Sequence, residues 1–241
     1  LPADPYLFGL WLGDGYSRED KIIMLASDWA DIEQFVPNPR RVWVEGLEKH
    51  RKQTVHIRSF RELSFVRDLG GKHIPAEYLR SSHEQRLELL RGMMDTDGTC
   101  DDRGQCELSF SNHRLATDAL ELINSLGIKC SIRRKFGATE RHAAHYRMKF
   151  IADCSVFKLA RKARKQGAAR RDTVKRRYIV DVRKCTPRPM NCITVEGGLY
   201  CVGRTFITTH NSALLIGLAL TSHWRSLIVR KTFVELDGLL D

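Results

Sequence analysis

Two nine-residue segments of this chain share one template, and their repetition constrains the fold more than any other feature. Residues 7–15 read LFGLWLGDG and residues 90–98 read LRGMMDTDG. Both have Gly at the third position, then a mostly apolar run, and end in Asp-Gly. The aspartates of the two Asp-Gly pairs are 83 residues apart (97 − 14), and a template that recurs at this distance indicates an internal duplication of one small α/β unit. The sequence therefore predicts two similar halves.

Each segment is expected to form a helix that packs closely against the other. Small residues recur at short intervals, Gly9 and Gly13 in the first segment and Gly92 and Thr96 in the second, and small side chains let two helix backbones approach. Each helix is expected to stop at its Asp-Gly, with the glycine in the left-handed conformation of a C-cap. The side chains expected to fill the flanking space are Leu10, Leu12, Met93 and Met94.

The acids of the two segments, Asp14 and Asp97, are predicted to hold a divalent metal. An aspartate at a helix C-terminus is unfavourable because the helix dipole is negative there, and two such aspartates repel each other. A hard cation such as Mg²⁺ takes carboxylate oxygens and offsets this repulsion. One Asp-Gly alone would favour a solvated turn acid behind a core helix, whereas two copies in the same register favour the metal site.

The paired segments resemble the dodecapeptide motifs of LAGLIDADG homing endonucleases, of the kind that inteins encode. The resemblance implies an α+β fold in which two pseudo-symmetric αββα halves form a saddle with its strands facing double-stranded DNA. It also implies a monomer that cleaves both DNA strands by Mg²⁺-dependent attack of water on phosphodiesters. Asp14 and Asp97 are the metal ligands and catalytic acids that it implies.

Two lysines are candidates for assisting that reaction. GGKHIP at residues 70–75 resembles the lysine-bearing segment that follows the first half in intein-type members, and it carries Lys72. HYRMKF at residues 145–150 carries Lys149 at a similar distance from the second motif. A lysine near each metal can stabilise charge on the scissile phosphate or perturb a water. The alternative for each is a surface lysine on a strand.

Hydrophobic periodicity and helix stop signals give a coarse reading of both halves. The first half is predicted to follow its motif helix with strands at 21–26 and 53–60 and a helix at 61–69. The second half is predicted to follow its motif helix with strands at 107–111, 130–135 and 145–150, and with helices at 113–126 and 155–165.

The positive charge of the chain is concentrated in one segment. Residues 158–188 hold thirteen Lys and Arg but two acids, so they carry the whole formal net charge of +11. A solvated helix face with a linker is the ordinary explanation for such a run, but beside a nuclease it favours contact with DNA phosphates. Such contacts supply affinity and register with little sequence readout. The candidate residues are Arg170, Arg171, Lys175, Arg176 and Arg177.

Length and composition fit a compact protein of one or two domains. The chain has 241 residues, 42% of them hydrophobic, which is enough for a sizeable core. No stretch resembles a signal peptide or a membrane span. Seven cysteines without a C-x-x-C pair disfavour a zinc site and a disulfide framework. The expected location is the reducing cytoplasm of a bacterial or phage-infected cell.

Residues 190–212 resemble the C-terminal splicing segment of an intein, with His210 and Asn211 as its last residues and Ser212 as the first residue of the host protein. The Asn211 amide nitrogen can attack its own carbonyl carbon, which forms a succinimide and breaks the bond to Ser212. His210 can protonate the groups concerned, and the Ser212 hydroxyl is the nucleophile that accepts the upstream acyl group. Two predicted β-like runs, residues 191–195 and 199–209, precede this triplet.

Two departures limit the splicing prediction. The N-terminal splicing segment is absent, and Gly197-Gly198 stands where a histidine is often found. Cys192 occupies a position where an Asp or Cys often assists, although a buried structural cysteine is an equal alternative. The chain is therefore expected to need an N-terminal intein segment as partner, in cis or in trans. It is expected to be the C-terminal part of a split intein or a truncated piece of a continuous one.

These interpretations divide the chain into three parts. Residues 1–175 are the predicted endonuclease, with halves of about 1–82 and 83–175, and residues 176–211 are the splicing segment, part of a β-rich intein domain. Residues 212–241 are predicted host protein and resemble the start of the ATPase domain in phage terminase large subunits, an unrelated α/β fragment being the alternative. The alternative for the whole is a splicing half whose endonuclease is inactive or only binds DNA.

Overall fold

The computed structural model describes residues 1–16, 19–36, 41–45, 54–58, 61–136, 144–168, 181, 183, 186, 189, 193 and 195–209. The chain divides into two compact units, Leu1–Val174 and Lys175–Asp241. The first unit contains both repeated motifs. Within the described residues, no helix combines the length and apolar character that crossing a membrane requires.

The first half of the larger unit begins with a motif helix and continues with a small antiparallel sheet. Asp4 accepts a hydrogen bond from the Leu7 amide and caps the first helix, and Pro5 occupies its first turn. The elements are α1 (Pro5–Asp14), β1 (Ile22–Leu25), α2 (Ala26–Ile32), a 3-10 helix (Glu33–Phe35), β2 (Arg41–Glu45), β3 (Thr54–Arg58), a second 3-10 helix (Arg61–Asp68) and α3 (Ala76–Leu79).

The second half follows a similar order with a longer motif helix and one more strand. Ser82 and Gln85 form a reciprocal capping box at its start. The elements are α4 (His83–Thr96), β4 (Thr99–Cys100), β5 (Cys106–Phe110), α5 (His113–Ser125), β6 (Ser131–Lys135), β7 (His145–Phe150) and α6 (Ala160–Ala168).

Each half has its own antiparallel sheet, with strand order β1-β3-β2 in the first and β4-β5-β7-β6 in the second. Along β5 the burial alternates, with Cys106, Leu108 and Phe110 facing the core. The register pairs Glu107 with Lys149 and Ser109 with Arg147 on the opposite face. This mixed helix-and-sheet architecture confirms the predicted α+β fold class.

The two motif helices lie at the centre of the core. The α1 side chains from Tyr6 to Leu12 are at most 1% exposed, so this helix is enclosed on all sides rather than amphipathic. On the side where Phe8 and Trp11 stack, the rings of Phe65 and Tyr78 also approach Phe8. The predicted space-filling residues Leu10, Leu12, Met93 and Met94 are all buried.

Two predicted helices differ from the observed ones, and several short elements were not predicted. Residues 61–68 form a 3-10 helix rather than an α-helix, and its most buried side chains, Leu63 and Val66, are three residues apart, as 3-10 geometry requires for one face. The helix predicted at 155–165 begins at Ala160 instead, because Asp95 binds the backbone amides of Lys158 and Leu159 ahead of it. The short elements that were not predicted are α2, the 3-10 helix Glu33–Phe35, β2, α3 and β4.

In the second unit, the β-like run predicted at 199–209 is a hairpin. Its strands are β8 (Tyr200–Val202) and β9 (Ile207–Thr209), which pair in antiparallel register. Gly203 (φ 65°) and Phe206 (φ 48°) have left-handed backbone conformations, which reverse the chain between the strands.

Candidate functional site

The two motif helices pack backbone against backbone. A β-carbon built on Gly92 would lie 2.2 Å from the Tyr6 carbonyl oxygen and 2.8 Å from the α-carbon of Gly9. A β-carbon on Gly13 would lie 1.9 Å from the Thr96 hydroxyl oxygen. The small residues of the two segments therefore face each other in pairs, as their spacing predicts, and this contact brings the C-terminal ends of α1 and α4 together.

The acids predicted to hold metal lie at these ends, Asp14 as the last residue of α1 and Asp97 directly after α4. Desolvation and the charge of Asp97 raise the pKa of Asp14 to about 6, although its side chain remains accessible to solvent. Desolvation also raises the pKa of Asp97. Lys72 and Lys162 lower both pKa values. Two crowded carboxylates thus share one solvent-accessible site with two cations.

The glycines that follow these acids are required for space and not for a left-handed turn, so that prediction was wrong. Gly15 is extended (φ −75°, ψ 155°), and Gly98 also lacks a positive φ. A β-carbon on Gly15 would lie 2.3 Å from the Trp11 carbonyl oxygen, and one on Gly98 would lie 2.6 Å from that of Met94. Each chain leaves its helix so close to the preceding turn that a side chain does not fit.

Lys72 reaches the end of α1 from a loop, which we define as the Lys72 loop, residues 70–74. Its ammonium nitrogen donates a hydrogen bond to the Gly13 carbonyl oxygen at 2.5 Å and lies 5.6 Å from the centre of a Trp11 ring. Desolvation lowers the pKa of Lys72, while Asp97 and Asp14 act in the opposite direction. The predicted position of Lys72 beside both acids therefore agrees with the structure.

Lys162 is the second cation at the site, and sequence reasoning missed it. Its ammonium nitrogen lies within 3.1 Å of four carbonyl oxygens at the end of α4, those of Met94, Asp95, Thr96 and Gly98. The side chain is buried, and desolvation lowers its pKa to about 8. A signal was present in the sequence, because Lys162 lies three residues after Leu159, on the side of α6 that continues this buried position, where a lysine is rare.

Lys149, which was predicted to be the second lysine beside the acids, lies elsewhere in the structure. It lies on β7, its side chain is half exposed, and it forms an ion pair with Glu107 at 3.2 Å. Glu107 also pairs with Arg147 at 2.7 Å. The structure thus brings Asp14, Asp97 and Lys72 together with Lys162, and it puts Lys149 on the solvent-facing side of the second sheet.

A buried carboxylate connects the two motif helices to α6. Asp95 accepts hydrogen bonds from the Tyr6 hydroxyl at 2.8 Å and from the Leu159 amide at 3.1 Å. Tyr6 belongs to α1, so its hydroxyl donates across the helix interface, and burial raises its pKa. Asp95 thereby fixes the start of α6. Because Lys162 follows Leu159 by three residues, Asp95 also fixes the backbone position from which the Lys162 side chain extends.

A cleft of about 550 Å³ opens beside the acids. Asp97 and Lys72 form part of its wall, and the end of β5 with the start of α5 forms another part, through Ser109, Ser111 and Asn112. Solvent, an ion or a segment of a bound polymer can therefore reach the Asp97 carboxylate from this side.

The remaining candidate residues lie outside the described part of the chain. They are the basic residues Arg170, Arg171, Lys175, Arg176 and Arg177, and the splicing residues Cys192, His210, Asn211 and Ser212. The host-like segment 212–241 also lies outside it.

The family model of the LAGLIDADG-like domain matches residues 84–184. The match begins in the second motif helix and includes α5, α6 and the whole second sheet. Residues 84–184, which include the second motif, are therefore similar to the LAGLIDADG-like domain.

A longer protein and two solved structures are also similar to this chain. The replicative DNA helicase DnaB of Mycobacterium intracellulare is 39% identical over 217 residues, which cover 87% of this chain. The chain spans 35%, about a third, of the length of that relative.

The two structures are of the homing endonuclease I-DmoI, one of mesophilic variants and one in complex with DNA and Mn. The variant structure is 13% identical to this chain with a TM-score of 0.42, and the DNA complex is 14% identical with a TM-score of 0.43. Both alignments cover 62% of this chain, and they cover 88% and 89% of the respective I-DmoI chains.

Proposed function

We propose that the unit Leu1–Val174 is a metal-dependent endonuclease that cuts both strands of a specific double-stranded DNA site. The observation that carries the proposal is the pair of carboxylates, Asp14 and Asp97, crowded together at the ends of two packed helices with Lys72 and Lys162 beside them. The LAGLIDADG-like domain at residues 84–184 supports it.

The donor set fits Mg²⁺ or a similar divalent cation. Among the described residues, no group of three or more His, Cys, Asp and Glu side chains is arranged to hold a metal. Mg²⁺ does not need one, since it commonly binds one or two carboxylates, keeps several waters and takes substrate phosphates as further ligands. Asp14 and Asp97 would hold it, and the charge of Asp97, which together with desolvation raises the pKa of Asp14, is a repulsion that a cation relieves. When bound, the metal activates the attacking water and neutralises charge on the phosphate.

The side chains of the protein would bind the metal and compensate the negative charge of the phosphate. With a pKa near 6, Asp14 is ionised at neutral pH and available as a ligand. Lys72 and Lys162 are fixed by backbone carbonyl oxygens, so they supply positive charge to the developing phosphate oxyanion without reorganising. We assign this electrostatic role in the second half to Lys162 in place of Lys149, and we propose instead that Lys149 contacts DNA.

The solvent face of the second sheet is the proposed DNA contact. Arg133, Lys135, Arg147 and Lys149 share this face by register, and Glu107 is the acid between them. A strand surface fits the major groove, where each base pair has a distinct pattern of donors and acceptors. The basic segment that follows α6 adds phosphate contacts, which raise affinity for any sequence.

The endonuclease is tested by Asp14→Asn and Asp97→Asn. Each variant loses a metal ligand while keeping the phosphate contacts, so double-strand cleavage should stop and DNA binding should persist. The substrate is a plasmid carrying the host gene with the insert's coding sequence removed, incubated with Mg²⁺. Asp102→Asn is the matched control, because Asp102 is 92% exposed and forms a long ion pair with Lys165. Full cutting by either site variant refutes the assignment.

We propose a second function, protein splicing, for residues 176–212. One observation favours it. Most of this chain matches a protein named as a replicative helicase, yet this chain spans only about a third of the length of that protein. An element inserted in a host protein gives that pattern. His210, Asn211 and Ser212 are its proposed reacting residues, Cys192 a proposed assistant, and an N-terminal intein segment its required partner. We propose that the host protein is a terminase, from the resemblance of residues 212–241, or a helicase, from this relative. The proposed location is the cytoplasm of a bacterial or phage-infected cell.

Splicing is tested by supplying a matching N-terminal intein segment in trans. Ligated host sequence should begin its downstream part at Ser212. Asn211→Ala should stop the reaction at the branched stage, because alanine has no side-chain nitrogen to attack the carbonyl. Ser212→Ala should prevent acyl transfer and still allow slow cleavage before residue 212. Mass spectrometry distinguishes the products by their termini, and a ligated product of normal mass from Asn211→Ala contradicts the proposal.

A further inference from the structure

The Lys72 loop has a backbone shape that its own sequence allows but does not enforce. Gly70 (φ 64°) and Gly71 (φ 132°) both adopt positive φ values, and a β-carbon on either would meet no atom within 4 Å. The glycines are therefore needed for conformation, and two adjacent glycines cost the most entropy to order. A loop of this composition needs anchors from elsewhere if Lys72 is to stay at one place.

Two anchors come from the other half, one from α5 and one from the residue directly before it. The Asn112 amide nitrogen donates to the carbonyl oxygen of Lys72 itself at 2.8 Å. The Asp118 carboxylate accepts from the Ile74 amide at 3.1 Å. These contacts hold the main chain on both sides of His73, whose ring nitrogen lies 3.0 Å from the Gly71 carbonyl oxygen.

Asn112 is itself rigidly held, which makes it an effective anchor. Its side-chain oxygen accepts from the amides of Arg114 and Leu115 at 2.9 and 3.2 Å, so it is the N-cap of α5. One side-chain amide thus uses its oxygen to start a thirteen-residue helix and its nitrogen to grip the loop. The position of the Lys72 backbone is thereby tied to the second half of the protein.

We propose that Asn112 and Asp118 are positioning residues that brace the Lys72 loop, so that the ammonium group contributed by the first half depends on the second half. The inference rests on the proposed nuclease function for its effect on cleavage, but not for its effect on Lys72. A lysine side chain has four rotatable bonds, and a displacement of about 1 Å at a reacting group can cost about a hundredfold in rate. The brace fixes the main chain from which this side chain extends, so that the ammonium group can reach the Gly13 carbonyl oxygen from one constant position.

The discriminating variant is Asn112→Ser. Serine keeps a capping oxygen for α5 and loses the donor to the Lys72 carbonyl. Asp118→Ala removes the second anchor, whereas Asp118→Asn retains an acceptor for the Ile74 amide and should behave as wild type. Thr117→Ala is the matched control, since Thr117 bonds within α5 to the His113 carbonyl oxygen. Thermal melts of the full chain identify any variant that fails to fold, and Asn112→Ser, which keeps the cap, then carries the test alone.

The first readout is the pKa of Lys72, measured by NMR on protein with ¹³C-labelled lysine and assigned by the signal that Lys72→Gln loses. In the wild type it should lie below the usual lysine value, because Lys72 is desolvated. In Asn112→Ser and in Asn112→Ser/Asp118→Ala it should move towards about 10.4, the value of a hydrated lysine. An unchanged Lys72 titration in the double variant, or in Asn112→Ser where the double variant does not fold, overturns the proposal, whatever the protein does to DNA.

The second readout is cleavage by the same full-length variants. Asn112→Ser should lower kcat about tenfold and change KM for DNA less than twofold, because the displaced group acts in the reaction and not in binding. If the Lys72 pKa moves and kcat does not, the brace is correct and the catalytic role proposed for Lys72 is wrong. If the wild type cuts no DNA, the NMR result still decides the brace.

Discussion

The close contact of the motif helices makes Gly92→Ala a severe substitution. The added β-carbon would lie 2.2, 2.7 and 2.8 Å from the Tyr6 carbonyl oxygen, the Leu10 amide nitrogen and the Gly9 α-carbon. All three are backbone atoms, so no side chain can move aside and the two helices must separate. Overpacking of this kind costs about 3 kcal/mol, and alanine returns about 1 kcal/mol in helix propensity. The expected net loss is about 2 kcal/mol of unfolding free energy.

Gly167→Ala is the matched control for this prediction. Gly167 lies in α6, where a β-carbon would meet no atom within 4 Å, so only the propensity gain of up to about 1 kcal/mol remains. Urea titrations followed by tryptophan fluorescence report on the core, because Trp11 and Trp29 are buried there. Unfolding free energies for the two variants should differ by about 3 kcal/mol. Equal stabilities would mean that the motif helices do not pack at the observed distance.

The remaining predictions concern charge. Lys162→Met should abolish cleavage and destabilise the fold, because it leaves buried carbonyl oxygens without their donor, whereas Lys149→Met should leave kcat near wild type; plasmid cleavage and melting curves test both. The raised pKa of Asp14 means that its ionisation between about pH 4 and 6 destabilises the metal-free fold. In EDTA, the unfolding free energy of Asp14→Asn should therefore rise relative to that of the wild type by about 1 kcal/mol or less as the pH rises through that window. The difference is small because solvent screens the exposed carboxylate. Changing four arginines to Gln should weaken DNA binding at all sequences and reduce the slope of log affinity against log salt by roughly 3 to 4; these are Arg170, Arg171, Arg176 and Arg177.

The repeated motif could be interpreted from sequence because its signal is local. Small residues at matched positions predict the pairing of Gly9 with Gly92, and the template itself specifies which two acids meet. The role of the glycine after each acid was misjudged, because a C-cap glycine and a glycine required for space look identical in sequence. Gly15 lies against Trp11 in the tertiary structure, and no local pattern reveals that contact.

The lysines show where local reasoning ends. Lys149 was chosen because its distance from Asp97 resembles that of Lys72 from Asp14, but distance along the chain does not determine which face of a strand a residue occupies. The pairing of β5 with β7 does determine it, and it puts Lys149 opposite Glu107. Lys162 reaches the site because Asp95 fixes the start of α6, a contact between residues more than sixty positions apart.

The two lysines at the site perform the same task from different elements. Lys72 reaches the end of α1 from a loop and Lys162 reaches the end of α4 from a helix, and each binds carbonyl oxygens where a helix dipole is negative. They therefore stabilise the helix ends and compensate Asp14 and Asp97 at once. Two carboxylates and two ammonium groups give the cluster no formal net charge, so a divalent cation would bring its full charge to a neutral site. DNA phosphates would supply negative charge that balances it, and on this reasoning metal and DNA would bind the proposed active site cooperatively.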